Sequence, residues 1–150
     1  MKQTDQTKLT PHFSLGEFTQ SYTAELLGIE NVPNQEHIRN LQNLCQKVLE
    51  PIREHLGRPV HISSGFRSPE LNHAVGGVMT SQHQYGEAAD ILVKDFLEAA
   101  DLVEWIMDNL SFDQLLMERN RNRSSYWVHV SCKLHESDNR NIYTGLKIKG

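Results

Sequence analysis

The sequence predicts one α+β domain, and three observations carry that expectation. Its first third places apolar residues at intervals of three and four, the signature of helices with one buried face. Its remainder holds short alternating or wholly apolar runs bounded by turn residues, with a further helix among them. No internal repeat, low-complexity tract or linker interrupts the 150 residues, so the expected domain spans 1–150 and is long enough to bury its own core.

The elements follow in order. Ser14, with Glu17 three residues on, makes a capping-box start for a short helix through Phe18. A second short helix around Ala24–Leu27 stops at Gly28. Asn34 caps a longer helix with Ile38, Leu41, Cys45, Val48, Leu49, Ile52 and Leu56 on one face, ended by Gly57 and Pro59. Val60–Ser64 reads as a short strand closed by Gly65. Ser68-Pro69 supplies the N-cap and first helical position for a helix to Val75, broken by Gly76-Gly77. Ala88–Val93 reads as a buried strand carrying Asp90. Asp95 with Glu98 opens a helix whose Phe96, Ala99, Val103, Ile106, Met107 and Leu110 point inward. Strands over Phe112–Glu118 and Tyr126–Cys132 follow, joined by the polar loop Arg119–Ser125, and Tyr143–Ile148 is expected as an edge strand.

Composition bounds the function. The net charge of -4 gives no general attraction to nucleic acid or anionic lipid, so neither is an expected partner. No apolar run approaches the roughly 20 residues of a membrane span. The start, Met1 to Lys8, lacks the apolar core of a secretory signal, which predicts a cytoplasmic protein as synthesised. The two cysteines, Cys45 and Cys132, are too few and too far apart for a disulfide framework or a thiolate zinc site. Both read as small buried hydrophobes.

Chemistry concentrates in two runs, His83-Gln84-Tyr85-Gly86-Glu87-Ala88-Ala89-Asp90 and Trp127-Val128-His129-Val130-Ser131. His83 falls in a loop and Asp90 in a strand; a turn at Gly86 can fold one back onto the other. A carboxylate amid Ala89, Ile91, Leu92 and Val93 needs a partner or a metal to offset its desolvation. Alternation places Val128 and Val130 on a core face, with Trp127, His129 and Ser131 on the other, the wall of a cleft. These residues alone also fit a hydrogen-bonded loop histidine, an aspartate paired with arginine, and a histidine on a partly exposed sheet face. If the trio meets, two imidazoles and a carboxylate can hold one zinc ion and leave a position open, as catalytic zinc requires.

Three ordered motifs then resemble a known family: Ser64-Gly65-Phe66-Arg67-Ser68-Pro69, Ser81-Gln82-His83 through Asp90, and Trp127-Val128-His129-Val130-Ser131. They are similar to those of the zinc D-Ala-D-Ala carboxypeptidase family (metallopeptidase family fifteen), which includes carboxypeptidases, D,D-dipeptidases and endolysins acting on peptidoglycan peptides. The hedgehog domain shares its metal-site architecture. The resemblance runs from about Phe13 to Ser131. It implies a small α+β domain with an antiparallel sheet and helices packed on one side, and one zinc ion held by His83, Asp90 and His129. It further implies a substrate-binding role for Arg67, whose planar guanidinium suits a carboxylate or carbonyl. The alternative for Arg67 is an ion pair with Asp90 or Glu70.

The expected activity is zinc-dependent hydrolysis of peptidoglycan stem peptides, either at the D-Ala-D-Ala link or at the L-Ala to D-Glu link. Glu118 is the candidate general base, Asp113, His135 and Glu136 its fallbacks. Ser81 and Trp127 are expected beside the substrate, Ser81 as a turn residue rather than a nucleophile. Tyr126 stands three residues before His129, where other branches carry an acidic residue, and the loop Arg119–Ser125 looks long and basic. Its three arginines could favour an acidic peptide. The rival expectation is a zinc-bearing interaction module of hedgehog-like fold that has lost catalysis. A monomer is expected; a lysis enzyme released through a membrane lesion would reconcile a wall substrate with the missing signal.

Overall fold

The computed structural model describes residues 5–149, so the first half of the Met1–Lys8 segment lies outside the described residues. A small hairpin, β1 (Lys8–Thr10) and β2 (Phe13–Ser14), leads into the short helices α1 (Gly16–Thr19) and α2 (Tyr22–Leu27). The expected Ser14–Glu17 box is half made. The Glu17 carboxylate accepts from the Ser14 backbone N–H at 2.7 Å, but Leu15 occupies the cap position. Gly28 ends α2 in the left-handed conformation, as its position after the last periodic residue predicts.

The long helix is α3 (Gln35–Leu44), a π turn (Cys45–Leu49) and α4 (Glu50–Leu56) in succession. Asn34 caps it, and His37 completes the reciprocal box by accepting from the Asn34 N–H. The interruption was not expected from the apolar spacing. Pro51 has no N–H to offer the carbonyl four residues back, and the chain widens just before it. The Glu50 N–H reaches the Cys45 carbonyl five residues behind.

Five strands form the main sheet in the order β3 (Ile62–Ser64), β4 (Ala88–Val93), β6 (Tyr126–Ser131), β5 (Gln114–Asn120) and β7 (Ile142–Lys149). The first three pairings are antiparallel, as expected, but β7 runs parallel to β5, so the sheet is mixed. The reason is the connection after β6. It crosses the start of β5 rather than doubling back beside β6, held by the Arg140 guanidinium on Asp113 and by the Asn141 N–H on the Phe112 carbonyl. Strand β7 therefore begins at the end where β5 begins.

Helix α6 (Phe96–Asn109) and the long helix pack on one sheet face, where Ile91, Val93, Leu115, Met117, Val128 and Val130 meet Leu41, Val48, Ile52, Leu102, Val103 and Ile106. Two inward assignments on α6 are corrected: Phe96 and Met107 are exposed, while Leu102 takes the core position. Phe96 sits at the first helical position, beyond the sheet's cover, and meets Tyr126 edge-on. The opposite sheet face carries Asp90, His129 and Glu118. It is flanked by the Gly76–Val78 segment that follows α5 (Pro69–Ala74) and by a single 3₁₀ turn (Gln82–Tyr85).

Candidate metal centre

Strand register builds the centre first. Asp90 on β4 stands directly opposite His129 on β6, and Nδ1 of His129 lies 2.9 Å from Asp90 Oδ1. His83 comes from the 3₁₀ turn. Ser81 opens that turn by accepting from the His83 N–H, and Gly86 closes it at φ +75°. Only glycine suits Gly86. Besides the backbone angle, a Cβ there would stand 2.6 Å from the His37 carbonyl oxygen. The turn brings Nε2 of His83 to 3.3 Å from the same Asp90 oxygen. The two rings stand edge to face, 5.0 Å apart. One donor atom from each of the three residues falls within 4.8 Å of the other two, and all three residues are buried.

Hydrogen bonding decides what the site can accept. The Gly65 carbonyl, 2.7 Å from His83 Nδ1, can only accept, so Nδ1 carries the proton and Nε2 presents a lone pair. Burial pushes the His83 imidazole below its ordinary pKa, against the opposing pull of Asp90, and keeps it neutral. Burial raises the Asp90 carboxyl, yet the group is held well below the usual carboxylate range, with His129 Nδ1 donating to it. A neutral imidazole lone pair aimed at a carboxylate oxygen is an arrangement that a cation completes. Nitrogen and oxygen donors without thiolate, three in number, fit zinc with a coordination position left over.

The other expected residues divide. Arg67 lines the same cleft, and its structural alternative is also realised. Nη2 lies 3.5 Å from Asp90 Oδ2, while Nε and Nη1 donate to Ser64 and Asn72. Glu70 is not its partner. Burial lowers the guanidinium's pKa and Asp90 and Glu118 oppose the shift. Ser81 lines the cleft at the mouth of the turn. Trp127 does not line the cleft, although it shares a sheet face with His129. Neither do the arginines of the 119–125 loop; Arg119 turns back onto the carbonyls of Asn120 and Arg121.

Glu118 is 4% exposed and faces the cleft two residues along β5 from Leu116, the position opposite His129. Diagonal positions of this kind lie about 7–8 Å apart across a sheet, enough for a water and a peptide group between them. Its Oε2 accepts no hydrogen bond among the described residues; Lys149 Nζ stands 3.5 Å from it. The fallback bases sit elsewhere. Asp113 is fully buried and its oxygens are occupied by Arg140 and Gln82, while His135 and Glu136 lie off the cleft. Cys45 and Cys132 are buried and free, with burial pushing both thiols up, as inert cysteines should be.

The cleft measures roughly 380 Å³ and includes residues that the motifs did not mark: Gln114, the Gly76–Val78 segment, and Lys147 with Lys149 from β7. Lys149 was missed because the expected edge strand ended at Ile148, and Lys147 because nothing in the apolar spacing showed which face it takes.

A mixed sheet with a His-Asp-His cluster on one face and a buried carboxylate in the same cleft is what a metal-dependent hydrolase needs. The family model for Peptidase M15 matches residues 11–131, and the chain belongs to that family. Among curated proteins it is similar to a zinc D-Ala-D-Ala carboxypeptidase of Streptomyces albus G. The two are 43% identical over 44 residues, which are 29% of this chain and 17% of that relative. No helix among the described residues is long and apolar enough to cross a membrane.

Proposed function

We propose that the protein is a zinc peptidase hydrolysing peptide bonds of peptidoglycan stem peptides, of the D-Ala-D-Ala carboxypeptidase or L-Ala–D-Glu endopeptidase type. The observation that carries this reading is the convergence of three metal-competent donors and a hydrogen-bond-poor carboxylate, Glu118, in one cleft. Membership of a peptidase family and the likeness to a zinc carboxypeptidase support it.

His83, Asp90 and His129 would hold one zinc ion, which supplies Lewis acidity toward water and toward a peptide carbonyl. The remaining chemistry belongs to the chain. Gly65 fixes the His83 tautomer and ring orientation, the outer-shell contact that ligating histidines need. Glu118 takes a proton from the attacking water through Oε2, which accepts no hydrogen bond among the described residues, and returns it to the leaving amine. Arg67, braced by Ser64 and Asn72, holds a substrate carbonyl or carboxylate beside the centre. Ser81 keeps the His83 turn in place.

Digestion of purified peptidoglycan with zinc-loaded and chelated protein, followed by mass spectrometry of the fragments, tests the reading. Release of D-alanine identifies the carboxypeptidase type, and new L-Ala/D-Glu termini identify the endopeptidase type. Stoichiometric zinc without any cleavage would instead identify a binding module.

A further inference from the structure

The irregularity in β7 determines what the cleft presents to substrate. Between Leu115 and Met117 the partner strand advances from Tyr143 to Leu146, so β7 carries one extra residue, at the Gly145 bend with φ +92°. A bulge of one residue reverses which side chains face which way. In unbroken register Leu146 would stand opposite Glu118 and share the cleft face. With the bulge Lys147 stands opposite Glu118, and Lys149 follows two residues on along the same face. Both lysines line the cleft.

The charge balance there differs from that of the molecule. The chain is net acidic at -4, yet in the cleft three cations, Arg67, Lys147 and Lys149, face two carboxylates, Asp90 and Glu118. Lys147 has no carboxylate within ion-pair distance among the described residues, and Lys149 approaches Glu118 without a hydrogen bond. The Lys147 ammonium is therefore available, and that of Lys149 is shared with Glu118. They lie on the side of Glu118 away from Arg67's anchor on Asp90, and beyond the 11–131 segment that the family model covers.

We propose that Lys147 and Lys149, turned into the cleft by the Gly145 bulge, are specificity-determining residues that bind a carboxylate of an acidic peptide substrate. This rests on the peptidase reading of the cleft. In a stem peptide the carboxylate could be the free α-carboxylate of D-glutamate or the chain's C-terminus, and both offer the same chemistry.

The test compares three synthetic stem pentapeptides: one with both carboxylates, one amidated at D-glutamate, one amidated at the C-terminus. The zinc-loaded wild type and the K147Q/K149Q variant are assayed for kcat/KM on each. The wild type should disfavour one amidated peptide about tenfold, which identifies the source of the carboxylate, and K147Q/K149Q should lower that preference to near unity. The conservative K147R/K149R variant should restore it. Equal rates on all three peptides by the wild type, or a preference unchanged in K147Q/K149Q, would overturn the proposal while leaving the peptidase reading intact. If no peptide is cut, the peptidase reading fails. The same peptides titrated by fluorescence anisotropy then decide the lysines' role by the same ratio.

Discussion

Replacing Asp90 with asparagine perturbs the centre with little change of volume. The carboxylate is 5% exposed, shares one oxygen with two imidazoles and supplies the trio's single negative charge. Asparagine offers a neutral carbonyl in its place, or an amide whose N–H would donate to the His83 lone pair and take it from the metal. If zinc binds the native state alone, ligand at about 1,000 times Kd adds about 4.1 kcal/mol to stability. For a chain of this length each kcal/mol moves Tm by roughly 2–4 °C, so zinc should raise the wild-type Tm by about 8–16 °C. In Asp90→Asn most of that rise should vanish, because a harder, charged donor has been lost from a three-donor set. Thermal unfolding followed by circular dichroism, with zinc and with chelator, reads the difference. The chelated proteins should lie closer together, since Arg67 keeps its bonds to Ser64 and Asn72. A zinc-dependent rise in Asp90→Asn equal to that of the wild type would refute the ligand assignment.

Three further outcomes follow from other parts of the structure. Glu118→Gln should retain zinc and fold while losing about 10²–10⁴ in kcat on a cleaved stem peptide; undiminished turnover would remove Glu118 from the chemistry. Gly86→Ala should cost about 1–2 kcal/mol or more in urea denaturation and weaken zinc retention, because a Cβ meets the His37 carbonyl oxygen and φ is +75°. A variant as stable as wild type would show that the turn tolerates another path. Asp113 is buried and raised by that burial, but the Arg140 bonds prevail and hold its carboxyl below the ordinary range. Its contribution is therefore complete above the unfolded value of about 3.9 and lost as pH falls below it. Urea midpoints between pH 5 and 2.5 should fall more steeply in wild type than in Asp113→Asn, and parallel slopes would contradict the pairing.

Much of this architecture was legible because local chemistry and tertiary structure agree. Asn34, Ser68, Gly28 and Gly57 stand where caps and stops should, and Ala88–Val93 is a strand with the expected bounds. The alternation Tyr126 to Cys132 separated the core face from the face carrying His129, which is why the trio could be placed. What stayed hidden depends on relations that spacing does not encode. The π turn arises from a missing proline N–H inside a pattern that reads as uninterrupted helix. The direction of β7 depends on a connection fastened by Arg140 and Asp113, distant in sequence. The lysines' place in the cleft depends on a one-residue bulge. Trp127 shares the right face of β6 and stands opposite Glu118, yet His129 is the β6 residue that lines the cleft.

The central claim is that His83, Asp90 and His129 together hold one zinc ion. X-ray absorption at the zinc edge of the stoichiometrically loaded protein tests it most directly. The account predicts a first shell of nitrogen and oxygen at about 2.0–2.2 Å, with the outer-shell scattering of two imidazoles and no sulfur. Sulfur at about 2.3 Å, or a shell with no imidazole, would place the metal elsewhere and contradict it.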